Sequence, residues 1–324
     1  MSSRSSRTPR PAEQAAGRYL EWLLKHPGLS YRKLWVGKAG AVAEKDPSYF
    51  SQEAVAAIYA KFLYDRGELK PEEHARYEQS ERDKQGKRIK HQHISRALQG
   101  NPLSKKTLEE LIEAFEIKSD DAQYLLKIWH GETYAPVAEG TLTRPANWKP
   151  NEHESVLMHE EHHLGTDGLP AWHETRQTIR ARVDDLERFY YRFDTNEVDV
   201  TLLWGGRQDP MIRYNENYWE VPFVFPKPIK LGETHSFAYR LDFHYAVPPL
   251  REYRRVFYEH LDGFDLHVFF DHESTPSKVW WTEWEVEVGG PIRYEELVTL
   301  DDDLAAHRHL VYVQRAAIGF RWEW

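Results

Sequence analysis

Arg88-Ile-Lys-His-Gln-His-Ile-Ser-Arg-Ala-Leu-Gln-Gly-Asn-Pro-Leu-Ser104 is the stretch on which the reading of this 324-residue chain turns. Between Glu81 and Lys106 there are eight Lys or Arg against two acids, a local charge of +6. On a helix from about Lys90 to Leu98, the residues Ile94, Ala97 and Leu98 share one face and turn inward. Lys90, His91, Gln92, Ser95, Arg96 and Gln99 then project outward. Those side chains pair with phosphates and hydrogen-bond base edges, on a rod that fits a DNA major groove. Gly100 and Pro102 stop the helix. Arg82, Lys84, Arg88 and Lys105 flank it as candidate phosphate contacts.

Working outward, helical periodicity runs from residue 11 to Gly131. Residues 11–25 place Ala15, Tyr19, Trp22 and Leu23 on one face, and Pro27-Gly28 ends that helix. Ser51 is a plausible N-cap for a helix with Val55, Ile58 and Phe62 at apolar spacing. Pro71-Glu-Glu opens another, with acids facing the helix dipole. Residues 104–115 carry the stripe Leu108, Leu111, Ile112 and Phe115, and residues 119–129 make a last helix. The start, residues 1–10, with Arg4, Arg7 and Arg10, reads as a disordered basic arm.

Ile94-Ser-Arg-Ala-Leu-Gln-Gly100, followed by Asn101-Pro102 and the leucine-rich residues 103–117, resembles the recognition helix and next helix of a lambda-repressor-like (Xre/Cro-type) helix-turn-helix. The likeness covers residues 88–117. It implies that the helix starting near Lys90 enters the major groove with its first residues on base edges. The preceding helix departs from the pattern, because register from Ile94 puts Lys84 and Arg88 where the family has a small residue and Gly. Either residues 51–64 form the supporting helix, with residues 65–87 inserted, or the charged residues 75–83 do. The first is preferred, since a buried supporting helix needs apolar residues.

Beyond the helices the chemistry reverses. Residues 1–131 carry 23 Lys/Arg against 18 Asp/Glu, whereas residues 132–324 carry 20 against 34 and nine of the twelve Trp. The second half would be repelled by a polyanion. Residues 132–150, with Pro136, Gly140, Pro145 and Pro150, read as a linker. After them the apolar period becomes two, in residues 237–245, 264–270, 280–288 and 318–324. Turns are expected at Gly205-Gly206, Gly232, Pro248-Pro249, Asp262-Gly263 and Gly289-Gly290-Pro291. The expected architecture is multi-domain α plus β. An all-α helix-turn-helix domain (11–131) precedes an antiparallel, Ig-like β-sandwich (151–324) that senses or dimerises. His163-Leu-Gly-Thr-Asp-Gly-Leu-Pro170, Val279-Trp-Trp281 and Gly319-Phe-Arg-Trp-Glu-Trp324 resemble actinobacterial proteins that join an Xre-type domain to an aromatic C-terminal domain. That resemblance implies architecture and transfers no catalytic residue.

His159-Glu-Glu-His-His163 satisfies His-Glu-x-x-His, the pattern that binds zinc when both histidines share a helix face. Here residues 155–164 read as a strand entering a turn at Gly165, which separates His159 and His163 by about 13 Å. They are weak metal candidates, with His153, His162 and His173 nearby. Trp280, Trp284, Trp322 and Trp324 are expected in the core, and Trp281 in an exposed patch open to a ligand or partner.

No cysteine is present, which excludes disulfides and thiolate chemistry. No apolar run approaches the ~18 residues of a membrane span and no export signal opens the chain, so cytoplasm is the default. The expected function is sequence-specific regulation through double-stranded DNA, as a homodimer on half-sites one turn apart, with no cofactor. The alternatives are a non-enzymatic protein-interaction module in phage immunity or defence, and a metal-dependent hydrolase using His159 and His163.

Overall fold

The structure is a computed structural model. It describes residues 11–26, 28–46, 49–83, 89–98, 103–140, 142, 151–193, 195, 197–215, 218–245, 248–286 and 290–324. The chain divides into two compact units, Met1–Val137 and Ala138–Trp324.

The first unit holds α1 (Pro11–Lys25), α2 (Ser30–Ala39), α3 (Ala41–Lys45), α4 (Gln52–Asp65), α5 (Pro71–Asp83), α6 (His91–Leu98), α7 (Lys105–Ala114) and α8 (Ser119–His130). Their ends follow local chemistry. Ser51 accepts a hydrogen bond from the Ala54 N–H and Ser104 one from the Thr107 N–H, both at 3.1 Å, which satisfies orphan donors of the first turn. Gly131 closes α8 in the left-handed region at φ +78°. Leu20, Leu23 and Leu24 of α1, Tyr31 and Trp35 of α2 and Val55 and Tyr59 of α4 form the core. Arg32 is buried among them and donates to the carbonyls of Lys25, Ala43, Tyr49 and Asp46. A buried guanidinium is tolerated there because its donors meet oxygen. Among the described residues no helix is long and apolar enough to cross a membrane.

The strands come next in chain order. They are β1 (Val137–Glu139), β2 (His153–Leu164), β3 (Pro170–Ala181), β4 (Leu186–Phe193), β5 (Val198–Trp204), β6 (Arg207–Gln208), β7 (Ile212–Arg213) and β8 (Trp219–Ile229). Then follow β9 (Thr234–Phe243), β10 (Glu252–Phe257), β11 (Leu261–Phe269), β12 (Lys278–Trp284), β13 (Ile292–Val298), β14 (Ala305–Leu310), β15 (Tyr312–Gln314) and β16 (Ala316–Glu323). An eight-stranded sheet runs β1-β15-β11-β2-β3-β9-β5, with β14 also on β11. Two four-stranded sheets, β10-β16-β12-β13 and β4-β8-β6 with β7 on β8, accompany it.

This corrects the expected fold. Among the described residues there are three sheets rather than two, and the largest is mixed, because β2 and β11 pair in parallel with Asp265 opposite His159. The chain is therefore no antiparallel Ig-like sandwich. The first unit is not helix-only either, since it runs through Val137, the first residue of β1, in the stretch read as a linker. Alternation identifies a strand with one face buried, but it carries no information on which strand lies beside it. The inner face of the large sheet meets β10-β16-β12-β13 through Phe264, Leu266, Trp281 and Phe320. It meets β4-β8 through Phe189, Phe223, Phe237 and Tyr239.

Two local expectations also change. Asp262-Gly263 lies inside β11, not in a turn. A Cβ on Gly263 would stand 2.8 Å from Leu157 Cδ1, so the glycine permits close approach between paired strands. Trp281 is core, as are Trp284 and Trp322. Trp280 takes the other face, under the Arg321 guanidinium at 4.4 Å, while Trp324 is 40 % exposed. The expected parity of this Trp pair was inverted, because positions 279 and 281 form the packed row of β12.

Candidate functional site

The described part of the basic stretch centres on α6. Ile94, Ala97 and Leu98 are buried, Gln92 and Arg96 exposed, and His91 and Ser95 in between. The helix packs against α4 and α1. Small residues on α4, Ala54, Ala56 and Ala60, are buried along with Tyr59 and Leu63, and they let a neighbouring helix come close. His93 stacks on Tyr59 with centroids 5.8 Å apart. Lys90 differs from its expected role. Its backbone is left-handed at φ +63°, and its ammonium lies 2.9 Å from Glu73 of α5. Partial burial pushes the Glu73 carboxyl up, but the Lys90 hydrogen bond and the Lys70 N–H reverse this and lower it. Lys90 is thus tied to α5 rather than open to bases. Lys105 is exposed and lies 3.6 Å from Glu109 on its own helix. Gln99, Gly100, Pro102, Lys84, Arg88 and the side chain of Arg82 lie outside the described residues.

The second concentration of chemistry is β2, whose alternation splits His-Glu-Glu-His-His between two faces. His159, Glu161 and His163 face outward; Glu160 and His162 are buried on the inner face. The carboxylate that a hydrolytic zinc helix would use therefore points away from both outer histidines. His163 lies between Trp172 and Phe269, with centroids at 3.5 and 4.2 Å, apart from His159. His153 packs on Phe189 at 5.1 Å. Burial pushes it down to about 4.

On the outer face, register brings in partners the motif did not contain. Asp265 pairs with His159 of β2 on one side and His309 of β14 on the other, and His267 pairs with Glu161 and His307. Asp265 Oδ2 is 3.0 Å from His159 Nδ1 and 3.5 Å from His267 Nε2. Its Oδ1 is 2.6 Å from His307 Nε2 and 3.8 Å from His309 Nδ1. The other nitrogen of His159, Nε2, is 3.0 Å from Glu161 Oε1. The rings of His267 and His307 stack at 4.1 Å. The hydrogen bond to Asp265 raises His159, whereas burial, then the neighbouring His307, lowers His267. Partial burial pushes Asp265 up, yet the hydrogen bonds from His159 and His307 prevail and hold it far below the carboxylate range. A sequence signal existed: Asp265-Leu-His267 and His307-Arg-His309 alternate with strand period.

Behind this face, on the inner side, lies a buried polar seam. Glu160 accepts from Tyr253 OH at 2.7 Å and lies 3.3 Å from Arg255 Nε, both from β10. His173 Nε2 is 2.9 Å from Thr175 Oγ1 and 3.8 Å from Glu160. Burial drives His173 down to about 3, with the Arg255 charge adding to it. His162 is lowered as well, by burial and then by His173. Both of its ring nitrogens are buried without a hydrogen-bond partner.

No family model matches the chain, and no curated protein matches it. Among solved structures it is similar to a candidate protease from Parabacteroides distasonis, with 10 % identity over 52 % of this chain and a TM-score of 0.36. It is also similar to an M1 zinc metallopeptidase from Deinococcus radiodurans, with 11 % identity over 52 % and a TM-score of 0.33. The matches span only 40 % and 42 % of those chains. At that distance the likeness assigns neither fold nor activity here.

Proposed function

We propose that this chain is a cytoplasmic, sequence-specific DNA-binding regulator. In this reading α6 meets base edges, and the β-rich unit senses, dimerises or recruits. The observation that carries it is the segregation on α6: Ile94, Ala97 and Leu98 are buried while Gln92 and Arg96 are exposed. Arg reads guanine and Gln reads adenine through paired hydrogen bonds in the major groove. The likeness of residues 94–100 to an Xre/Cro-type recognition helix supports the same assignment. His91 and Ser95 join the contact, and Lys90 orients the helix through Glu73. Lys105 serves phosphates, together with Arg82, Lys84 and Arg88 in the basic stretch. One short helix reads too few base pairs for a genome, so a homodimer on half-sites one turn apart completes the reading.

Selection of bound duplexes from a random pool, followed by gel shift at graded salt, tests this. Arg96→Ala combined with Gln92→Ala is expected to abolish the sequence-specific shift and leave the urea midpoint unchanged. Undiminished binding removes α6 from the interface. A second reading, a protein-interaction module, is favoured by exposed Trp204, Met211, Ile212 and Tyr214 on the β-rich unit. Retention on random DNA that weakens with salt separates the two.

A further inference from the structure

The outer face of β2, β11 and β14 carries more nitrogen donors than a solvent-exposed sheet face needs. One carboxylate, Asp265, is the focus of imidazoles from three adjacent strands. Single ligand atoms of His159, Asp265 and His267 all lie within 4.8 Å of one another, the one such group among the described residues. We propose that His159, Asp265 and His267, with His307 as a fourth donor, bind a divalent first-row transition ion of the zinc type.

Three features support this chemistry over a ladder of hydrogen bonds. First, the donor set is imidazole nitrogen plus one carboxylate, which suits zinc and its neighbours and suits magnesium or calcium poorly. Second, Glu161 holds His159 Nε2 at 3.0 Å, and a carboxylate on that far nitrogen fixes the ring's orientation, so that an ion bound beside Asp265 would displace the proton on Nδ1. Third, His267 and His307 stack closely, an arrangement two imidazolium cations would resist, so at least one offers a lone pair. All four side chains stand on paired strands, which hold donors more rigidly than loops do.

The test uses the full chain, stripped with chelator and titrated with Zn2+ by calorimetry, and with Co2+ for its absorption spectrum. One equivalent per chain is expected. Asp265→Asn and His267→Gln should each weaken it at least about 10-fold, as loss of even an outer partner does at known sites. His307→Gln should alter the cobalt spectrum. His244→Gln, at an exposed histidine paired with Asp199, should leave affinity unchanged. Circular dichroism checks folding, and the conservative Asn and Gln changes keep each side chain polar and similar in size. Affinity unaltered by both Asp265→Asn and His267→Gln, or equally weakened by His244→Gln, would overturn the site.

Discussion

Glu160 and Glu161 are neighbours on β2, yet they live in different chemistries. Glu160 is fully buried, facing Tyr253, Arg255 and His173. Glu161 is at the surface between His159 and His163. The histidines divide the same way: His159 gains a carboxylate and is raised, while His162 gains burial, then the neighbouring His173, and is lowered. Residue type alone says little about charge in a strand, because a shift of one position exchanges solvent for core. On the inner face, charge is a structural liability that only pairing offsets. On the outer face it is available for ligands.

The sharpest way to break this contrast is Glu160→Ala. It removes the carboxylate that accepts from Tyr253 and pairs with Arg255, and losing one partner of a buried pair costs up to about 3–5 kcal/mol. Urea denaturation should show that loss. Glu160→Leu with Arg255→Met should recover most of it, because a volume-matched apolar pair carries no desolvation cost. A loss below about 1 kcal/mol for Glu160→Ala would mean that the seam is solvated and the contrast unreal.

A smaller effect concerns acid. His162 and His173 are lowered in the folded chain and ordinary, near 6.5, once unfolded. Below pH 6.5, and down to about 3 for His173, the unfolded chain binds more protons at these rings, so their contribution to stability falls as pH falls. Above pH 6.5 these two rings add no slope. Each histidine contributes up to about 1.4 kcal/mol per pH unit. His162→Phe keeps a ring against Tyr253, 4.6 Å away, and removes one of the two titrations. The slope of stability between pH 6 and 5 should flatten by up to that amount. An unchanged slope would show that His162 reaches water.

How much of this was legible beforehand depends on which physical signal each feature leaves. Ile94, Ala97 and Leu98 turn inward on α6 as helical spacing requires, because a three-to-four repeat names a face without needing a partner. Residues 153–164 form a strand, as the turn at Gly165 implied, and that disposes of a helical zinc motif. The parallel pairing of β2 with β11 was not legible, since it joins segments about a hundred residues apart and alternation does not encode it. Asp265, His267 and His307 were missed for the same reason: they meet His159 only through register. The Lys90–Glu73 pair is likewise invisible to spacing, because Glu73 comes from α5, a different helix. Gly263 looked like a turn residue, and only the Leu157 side chain above it shows why glycine is there.

Glu161→Gln has the smallest expected effect on stability, and it sharpens the comparison most. Glu161 meets His159, His163 and the exposed Arg176. Partial burial pushes it up, but His159, then Arg176, bring it below the ordinary carboxylate value. Exposed pairs of this kind contribute about 0–1 kcal/mol, so the urea midpoint should barely move. Zinc affinity should nonetheless fall about 10-fold, because the amide no longer holds His159 Nε2–H as a carboxylate does. A change that spares the fold and weakens the ion separates the two faces by function. The same substitution one residue earlier, at Glu160, should do the reverse. If Glu161→Gln destabilises the chain as much as Glu160→Gln, the outer histidines are scaffold, and the ion site loses the feature that best distinguishes it from a hydrogen-bonded ladder.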